Sequence, residues 1–308
     1  MKKTISILLV LVLVSAAAFA TPTIGGRFGI KYTYVYSSGN NGVTAGNRNY
    51  MTLTDSSDLW SIYFGGQGYQ YSSYSAYATL NIDKILATAK ITLPEEMTLS
   101  ADVGVNSLYA GYAYIDAAGS DAWYLPLATE STAPIGITVG YKGWSLYAAA
   151  GLEHDKKSFG LSVSGAVVDG VDVQAAYSQE VNAVSASFGV DIAALAKMDF
   201  SLSAGAYAEL YFDDMTNNLY VGGLKAGFDK LSAYSEFVYD SGTMSLSGGA
   251  NYAINSMFTV GADGGISDFS DVANNWSVDG WVQVKMGKVA SRLYASNTKV
   301  EFRTQFNF

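Results

Sequence analysis

The sequence predicts an all-β chain: a transmembrane antiparallel meander β-barrel of about 18 strands, within a range of 16–20. Three observations carry that expectation. Apolar and polar residues alternate with period two along most of the 308 residues, as on strands with one oily and one wet face. Short turns separate these segments at a hairpin rhythm. Beyond the first twenty residues, no run approaches the ~18 apolar residues of a membrane-spanning helix.

The N-terminus reads as a leader. Met1-Lys2-Lys3 is followed by an apolar run from Ile5 to Val14 and then by Ala18-Phe19-Ala20. A basic start, an apolar core and a small-x-small site are the parts of a cleaved export signal. The run is too short for an anchor, which needs roughly 20 residues to span a bilayer. The expected organisation is residues 1–20 as signal peptide and 21–308 as one barrel, 288 residues long.

Phe28 to Tyr36 opens the pattern, with Phe28, Ile30, Tyr32, Tyr34 and Tyr36 in phase. Gly39 to Gly46 reads as a Gly/Asn loop. Residues 47–65 hold one or two strands around Asp55-Ser56-Ser57-Asp58. Residues 74–82 and 85–93 read as a hairpin across Asp83-Lys84, with Pro94-Glu95-Glu96 as the next turn. Apolar residues occupy odd positions from Met97 to Val105 and even ones from Leu108 to Tyr114. That flip at Asn106-Ser107 is a turn or a bulge. Residues 116–134 form the longest unpatterned segment.

The remainder is regular. Strands are expected at about 135–141, 144–153, 159–168, 171–178, 181–191, 198–212, 219–228, 231–240, 243–253, 257–267, 275–286, 289–297 and 299–308. Asp169-Gly170 has the composition of a type I′ hairpin turn. Ala193 to Lys197 hints at a short helical turn. Strands of this length cross a bilayer when tilted, and every backbone group stays paired only if the sheet closes. Tyr32, Tyr36, Tyr141, Tyr220, Tyr239 and Tyr252 fall near strand ends, where a headgroup girdle belongs. A soluble β-sandwich is the alternative. It would need more surface charge than 15% charged residues supply.

Composition excludes several roles. Without Lys2 and Lys3 the chain has 16 basic and 27 acidic residues, a net charge of −11. That opposes binding to nucleic acid. There is no Cys, hence no disulfide framework and no lipid-modified cysteine anchor.

The last ten residues alternate Val300, Phe302, Phe306 and Phe308 against Lys299, Glu301, Arg303, Gln305 and Asn307. This segment resembles the C-terminal strand of bacterial outer-membrane β-barrels, and the whole pattern resembles their porin-like class. The resemblance implies that Phe302, Phe306 and Phe308 are an assembly signal read by the barrel-assembly machinery. It also implies an even strand number, outer-membrane lipids as surroundings and a homotrimer as one possible state. The implied function is passive diffusion of ions and small hydrophilic solutes. A surface adhesin or a structural barrel with a closed lumen is the alternative.

The wet parity gives the candidate pore lining. Near the seam of last and first strands it carries Arg27, Lys31, Lys285, Arg292, Lys299 and Arg303, with Asp279 and Glu301 among them. The middle strands carry Glu153, Asp172, Asp191, Asp199, Glu209 and Glu236. A basic wall facing an acidic wall would screen charged solutes. The alternative is that these charges pair with neighbours or sit at the rims. Trp123 and Tyr124, in the long segment, are candidates for a constriction loop, with an external cap as the alternative.

No catalytic, metal or cofactor site is expected. The single His154 lies between Glu153 and Asp155 before two lysines, as a solvated loop residue would. A zinc cluster lacks its ligands. Asp213-Asp214 and Asp268 to Asp271 belong to loops, where solvation is favoured over cation binding.

Overall fold

The computed structural model describes residues 22–45, 48–67, 74–105, 108–110, 125–128, 135–152 and 157–308. The strands are β1 (Thr23–Val35), β2 (Asn41–Ala45), β3 (Arg48–Thr54), β4 (Trp60–Gln67), β5 (Tyr74–Asn81), β6 (Met97–Val105), β7 (Leu108–Ala110), β8 (Leu125–Ala128), β9 (Ile135–Tyr141), β10 (Trp144–Leu152) and β11 (Lys157–Val168). They continue with β12 (Val171–Ser178), β13 (Ala183–Asp191), β14 (Ser201–Tyr211), β15 (Leu219–Phe228), β16 (Leu231–Asp240), β17 (Thr243–Ala253), β18 (Phe258–Ile266), β19 (Trp276–Met286), β20 (Val289–Ser296) and β21 (Lys299–Asn307).

The pairings are antiparallel and run from β1 to β3, through β6 to β9 and on in chain order to β21, which pairs with β1, so the sheet closes into an 18-strand barrel. β2 and β3 share one position, side by side along β1: Tyr34 faces Asn41 and Thr23 faces Thr54. β6 skips to β9, and β7 pairs only with β8 in a separate two-stranded ribbon. β7 and β8 therefore stand apart from the strand order of the wall.

Closure is backbone work. The N–H of Gly26 donates to the Phe308 carbonyl at 3.0 Å, and the N–H of Phe308 donates to the Gly26 carbonyl at 3.1 Å. A Cβ on Gly26 would lie 2.7 Å from the Phe308 ring, so this end of the seam needs a glycine.

The outer face carries no charged side chain among the described strand residues whose burial is defined, and many large apolar residues there are exposed, Phe28, Leu146, Phe188, Leu224 and Phe306 among them. Exposed Tyr141, Trp144 and Tyr252 ring the end that holds both chain termini. Tyr34, Tyr36, Tyr220 and Trp276 ring the other. Aromatic residues at both rims and aliphatic residues between are the pattern of a lipid-facing belt.

Four sequence expectations are corrected. Residues 85–93 are not a strand: Ile82–Thr88 forms a helix, α1. Ile82, Ile85 and Leu86 follow the i, i+3, i+4 spacing of one helical face, and Asp83 suits its first turn. The proposed loop Gly39 to Gly46 contains β2, because Asn41 to Ala45 find free edge groups on β1. The strand expected at 198–212 begins only at Ser201. It follows a second helix, α2 (Ile192–Ala196), which Asp191 caps by accepting from Ala194 N–H at 2.9 Å. Asp169-Gly170 is not type I′, since only Gly170 has positive φ and a register shift between Ala166 and Val168 takes up the extra residue. The turns with both central residues at positive φ are Lys142-Gly143 and Ser241-Gly242. Residues 1–20, Asn106-Ser107 and His154 lie outside the described residues.

Candidate functional site: the inner wall of the barrel

Register alone defines the inner face. Arg303 faces Lys31 on one side and Arg292 on the other, and Gln283 continues the row beyond Arg292. Arg27, Asp172, Glu209, Glu236, Asp279, Lys285 and Glu301 occupy the same parity. Asp199 does not: it precedes β14, in the segment after α2, and is exposed. Trp123, Tyr124 and Glu153 lie outside the described residues.

The seam is the most charged part. Glu301 is 1% exposed. Its Oε2 lies 3.7 Å from Lys31 Nζ and 3.4 Å from Lys299 Nζ, its Oε1 accepts from Arg303 Nε, and Thr33 Oγ1 donates to Oε2 at 3.3 Å. One carboxylate thus ties the first strand to the last. Charge-assisted bonds of this kind are the strong ones.

Arg292 is held differently. Its Nε and Nη2 donate to Gln283 Oε1 at 2.9 and 2.5 Å, and Nη1 donates to the Tyr294 hydroxyl at 2.9 Å. The guanidinium lies 4.2 Å from the Trp281 ring centre, and that of Arg303 lies 4.5 Å from Tyr294. The Trp281 indole N–H donates to Asp263 at 2.7 Å, and Asp263 also accepts from Tyr234 at 2.8 Å. An unbroken belt of aromatic, basic and acidic groups therefore crosses the inner face from β16 to β1. Both guanidinium groups thus sit over ring faces, a favourable cation–π contact, with Arg292 bonded to neutral acceptors and Arg303 to a carboxylate.

The middle strands differ. Glu209 is buried and accepts from Tyr207 at 2.6 Å and from Tyr211. Nearby inward positions are apolar: Leu219, Val221 and Val238 cluster with Tyr207. On β10 to β13 the inward residues Ala149, Ser162, Ala176, Ser178, Ala183 and Ser185 are buried, whereas outward Leu146, Phe159, Leu161 and Val163 are exposed. β8 lies against these four strands. Since only their inner face is covered, the β7–β8 ribbon lies on the inside, across the bore from the Lys31–Arg292–Arg303 seam.

Sequence reading missed Asp102, Asp263, Trp281, Tyr294 and the inward apolar cluster. Parity holds the signal for all of them: each falls on the wet phase of its strand. The assumption that aromatic residues face lipid hid the rings, and acids among Gly and Ala did not stand out.

Among the described residues, no group of acids and histidines is placed to hold a metal ion. Asp214 and Asp268 are spent on local turns instead. Asp214 accepts from Thr216 N–H at 3.0 Å and Asp268 from Ser270 N–H at 2.8 Å.

No protein-family model matches the chain, and a search of curated proteins returns no match. Solved structures do match. A mutant of Rhodopseudomonas blastica porin superposes with a TM-score of 0.53 at 12% identity, over 94% of this chain and 100% of that one. OpdQ of Pseudomonas aeruginosa superposes with a TM-score of 0.54 at 11% identity, over 93% of this chain and 96% of that one. The fold is that of a porin-like barrel. The likeness spans the closed sheet as a whole, and identities this low speak to the fold alone.

Proposed function

We propose that the chain is an outer-membrane diffusion channel for ions and small hydrophilic solutes. The observation that carries this reading is the division of one closed 18-strand sheet into an ionic inner face and an outer face without charge among the described strand residues whose burial is defined. At this strand number the bore admits water. In this reading residues 1–20 are the export signal, residues 21–308 are a single barrel, and the outer face meets membrane lipid. Phe302, Phe306 and Phe308 display one outward aromatic row to the assembly machinery, and a homotrimer is the assembled state. The chain is a channel and not an enzyme, takes no cofactor and binds no nucleic acid.

Arg27, Lys31, Lys285, Arg292 and Arg303 are the basic side of the pore lining, with the acids Asp279 and Glu301 among them. Asp172, Glu209 and Glu236 contribute to the acidic side. Residues 116–134 supply the constriction, with Trp123 and Tyr124 in it. Their sequence adds Asp116, Asp121 and Glu130 and no Lys or Arg. The position of β8 across from the seam then sets an acidic segment against a basic wall, a transverse field of the kind that selects among ions. Neutralising Arg292 and Arg303 together shifts the reversal potential in a salt gradient toward cation selectivity. An unchanged potential contradicts the assignment.

The inward apolar cluster of Leu219, Val221 and Val238 also favours a second reading, a lumen closed by the same segment in a structural or adhesive barrel. Single-channel recording separates the two. A diffusion channel gives stepwise ohmic currents, and a closed barrel gives none.

A further inference from the structure

The inner face of β3 to β10 has a chemistry unlike the seam. Tyr50, Tyr63 and Tyr77 stand on successive positions round the wall, with ring centres 5.6 and 5.0 Å apart and planes inclined by 22° and 18°. Tyr147 continues the arc on β10. These rings lie low over glycines. A Cβ on Gly65 would be 2.7 Å from Tyr63 Cζ, and one on Gly136 would be 2.7 Å from Tyr147 Cζ. Asp102 sits between Tyr77 and Tyr147: register places Tyr77 opposite Gly104, Asp102 opposite Gly136, and Tyr147 opposite Thr138. Its Oδ1 accepts from Thr79 Oγ1 at 2.6 Å.

Basic residues begin at the β3 edge, where Arg27 of β1 stands opposite Tyr50; the described inward positions of β4, β5, β6, β9 and β10 carry none, and Asp102 is their one acid. Aromatic faces around a single carboxylate attract a cation through the ring quadrupole and through charge. An anion meets a like charge and no donor stronger than a hydroxyl. We propose that Tyr77, Asp102, Thr79 and Tyr147, extended by Tyr63, form a subsite for a small organic ammonium ion. The inference rests on the diffusion-channel reading and adds a solute class to it. Ammonium solutes travel along this arc, away from the Arg292–Arg303 wall.

The test uses choline as probe, in two formats. In planar bilayers, millimolar choline interrupts the potassium chloride current of the wild-type barrel. The interruptions shorten roughly tenfold in Asp102→Asn and in the double variant Tyr77→Leu, Tyr147→Leu, as expected when a ring-and-carboxylate cage loses a member. Calorimetric titration of choline into the detergent-refolded barrel gives the same ranking and needs no open pore. Potassium currents that choline leaves unaltered, with no heat of binding, overturn the subsite while sparing the channel. Binding that Asp102→Asn leaves unaltered, or interruption by a neutral trisaccharide and not by choline, overturns the ammonium assignment. A barrel that conducts nothing yet binds choline contradicts the channel reading and leaves the subsite standing.

Discussion

Glu301 illustrates how single residues set this wall. Its carboxylate is buried in the closing seam among Lys31, Lys299 and Arg303, so it offsets part of their charge and fixes their positions. Glu301→Gln removes the negative charge and one of the two acceptor oxygens, and leaves three cations facing the bore without their counter-charge. The expected result is a reversal potential shifted toward anions and a barrel destabilised by roughly 1.5–3 kcal/mol, the range for bonds to charged groups. Denaturant titration and bilayer recording check the two effects separately. Asp55 is a quieter case. It is buried at the β3–β4 turn and accepts from Ser57 and Leu59 N–H groups, both at 3.2 Å. Asp55→Ala costs about 1 kcal/mol, as loss of a helix cap does, with unchanged conductance. The loop acids respond to pH. The hydroxyl and backbone N–H of Thr216 hold the Asp214 carboxyl below the usual carboxylate range, and those of Ser270 do the same for Asp268. A depressed folded pKa gives stability that is present above the unfolded value, about 3.9, and lost as pH falls through the folded one. Order in loops 212–218 and 267–275, followed by amide exchange, therefore decreases only in strong acid. A loss centred near neutrality contradicts this.

At the level of elements, the strands from β9 onward are legible because they alternate cleanly and many end in two-residue turns, as at Lys142-Gly143, Asp229-Lys230, Ser241-Gly242 and Gly287-Lys288. The failures share one cause. Period-two reading assigns every apolar pair to a strand, so Ile82, Ile85 and Leu86 passed for β until their helical spacing was seen in α1. Likewise Asn41 to Ala45 have loop composition and become β2 only because β1 is long enough to pair with two segments. The ribbon of β7 and β8 is the element with most consequence. It could not be placed from sequence, because nothing local distinguishes a segment folded inward from one folded outward. Only the buried small residues of β10 to β13 reveal the side. Deleting residues 119–131 is expected to raise single-channel conductance by widening the bore. Unaltered conductance argues for an external cap.

For the whole molecule, closure converts a parity rule into a compartment. Once β21 meets β1, the inward charges of the seam and the hydroxyls of the tyrosine arc share one interior, while the other phase forms the largely apolar exterior. The sequence carried that partition along each strand, and the candidate residues Lys31, Arg292 and Arg303 followed from it. Their grouping with Gln283, Trp281 and Tyr294 did not, since lateral neighbours depend on register across strands far apart in the chain. The measurement that tests the central claim most directly is planar-bilayer recording of refolded residues 21–308 in a salt gradient. Discrete ohmic steps whose reversal potential moves when Arg292 and Arg303 are neutralised are the predicted result. A folded, heat-modifiable barrel that inserts and passes no current would contradict it.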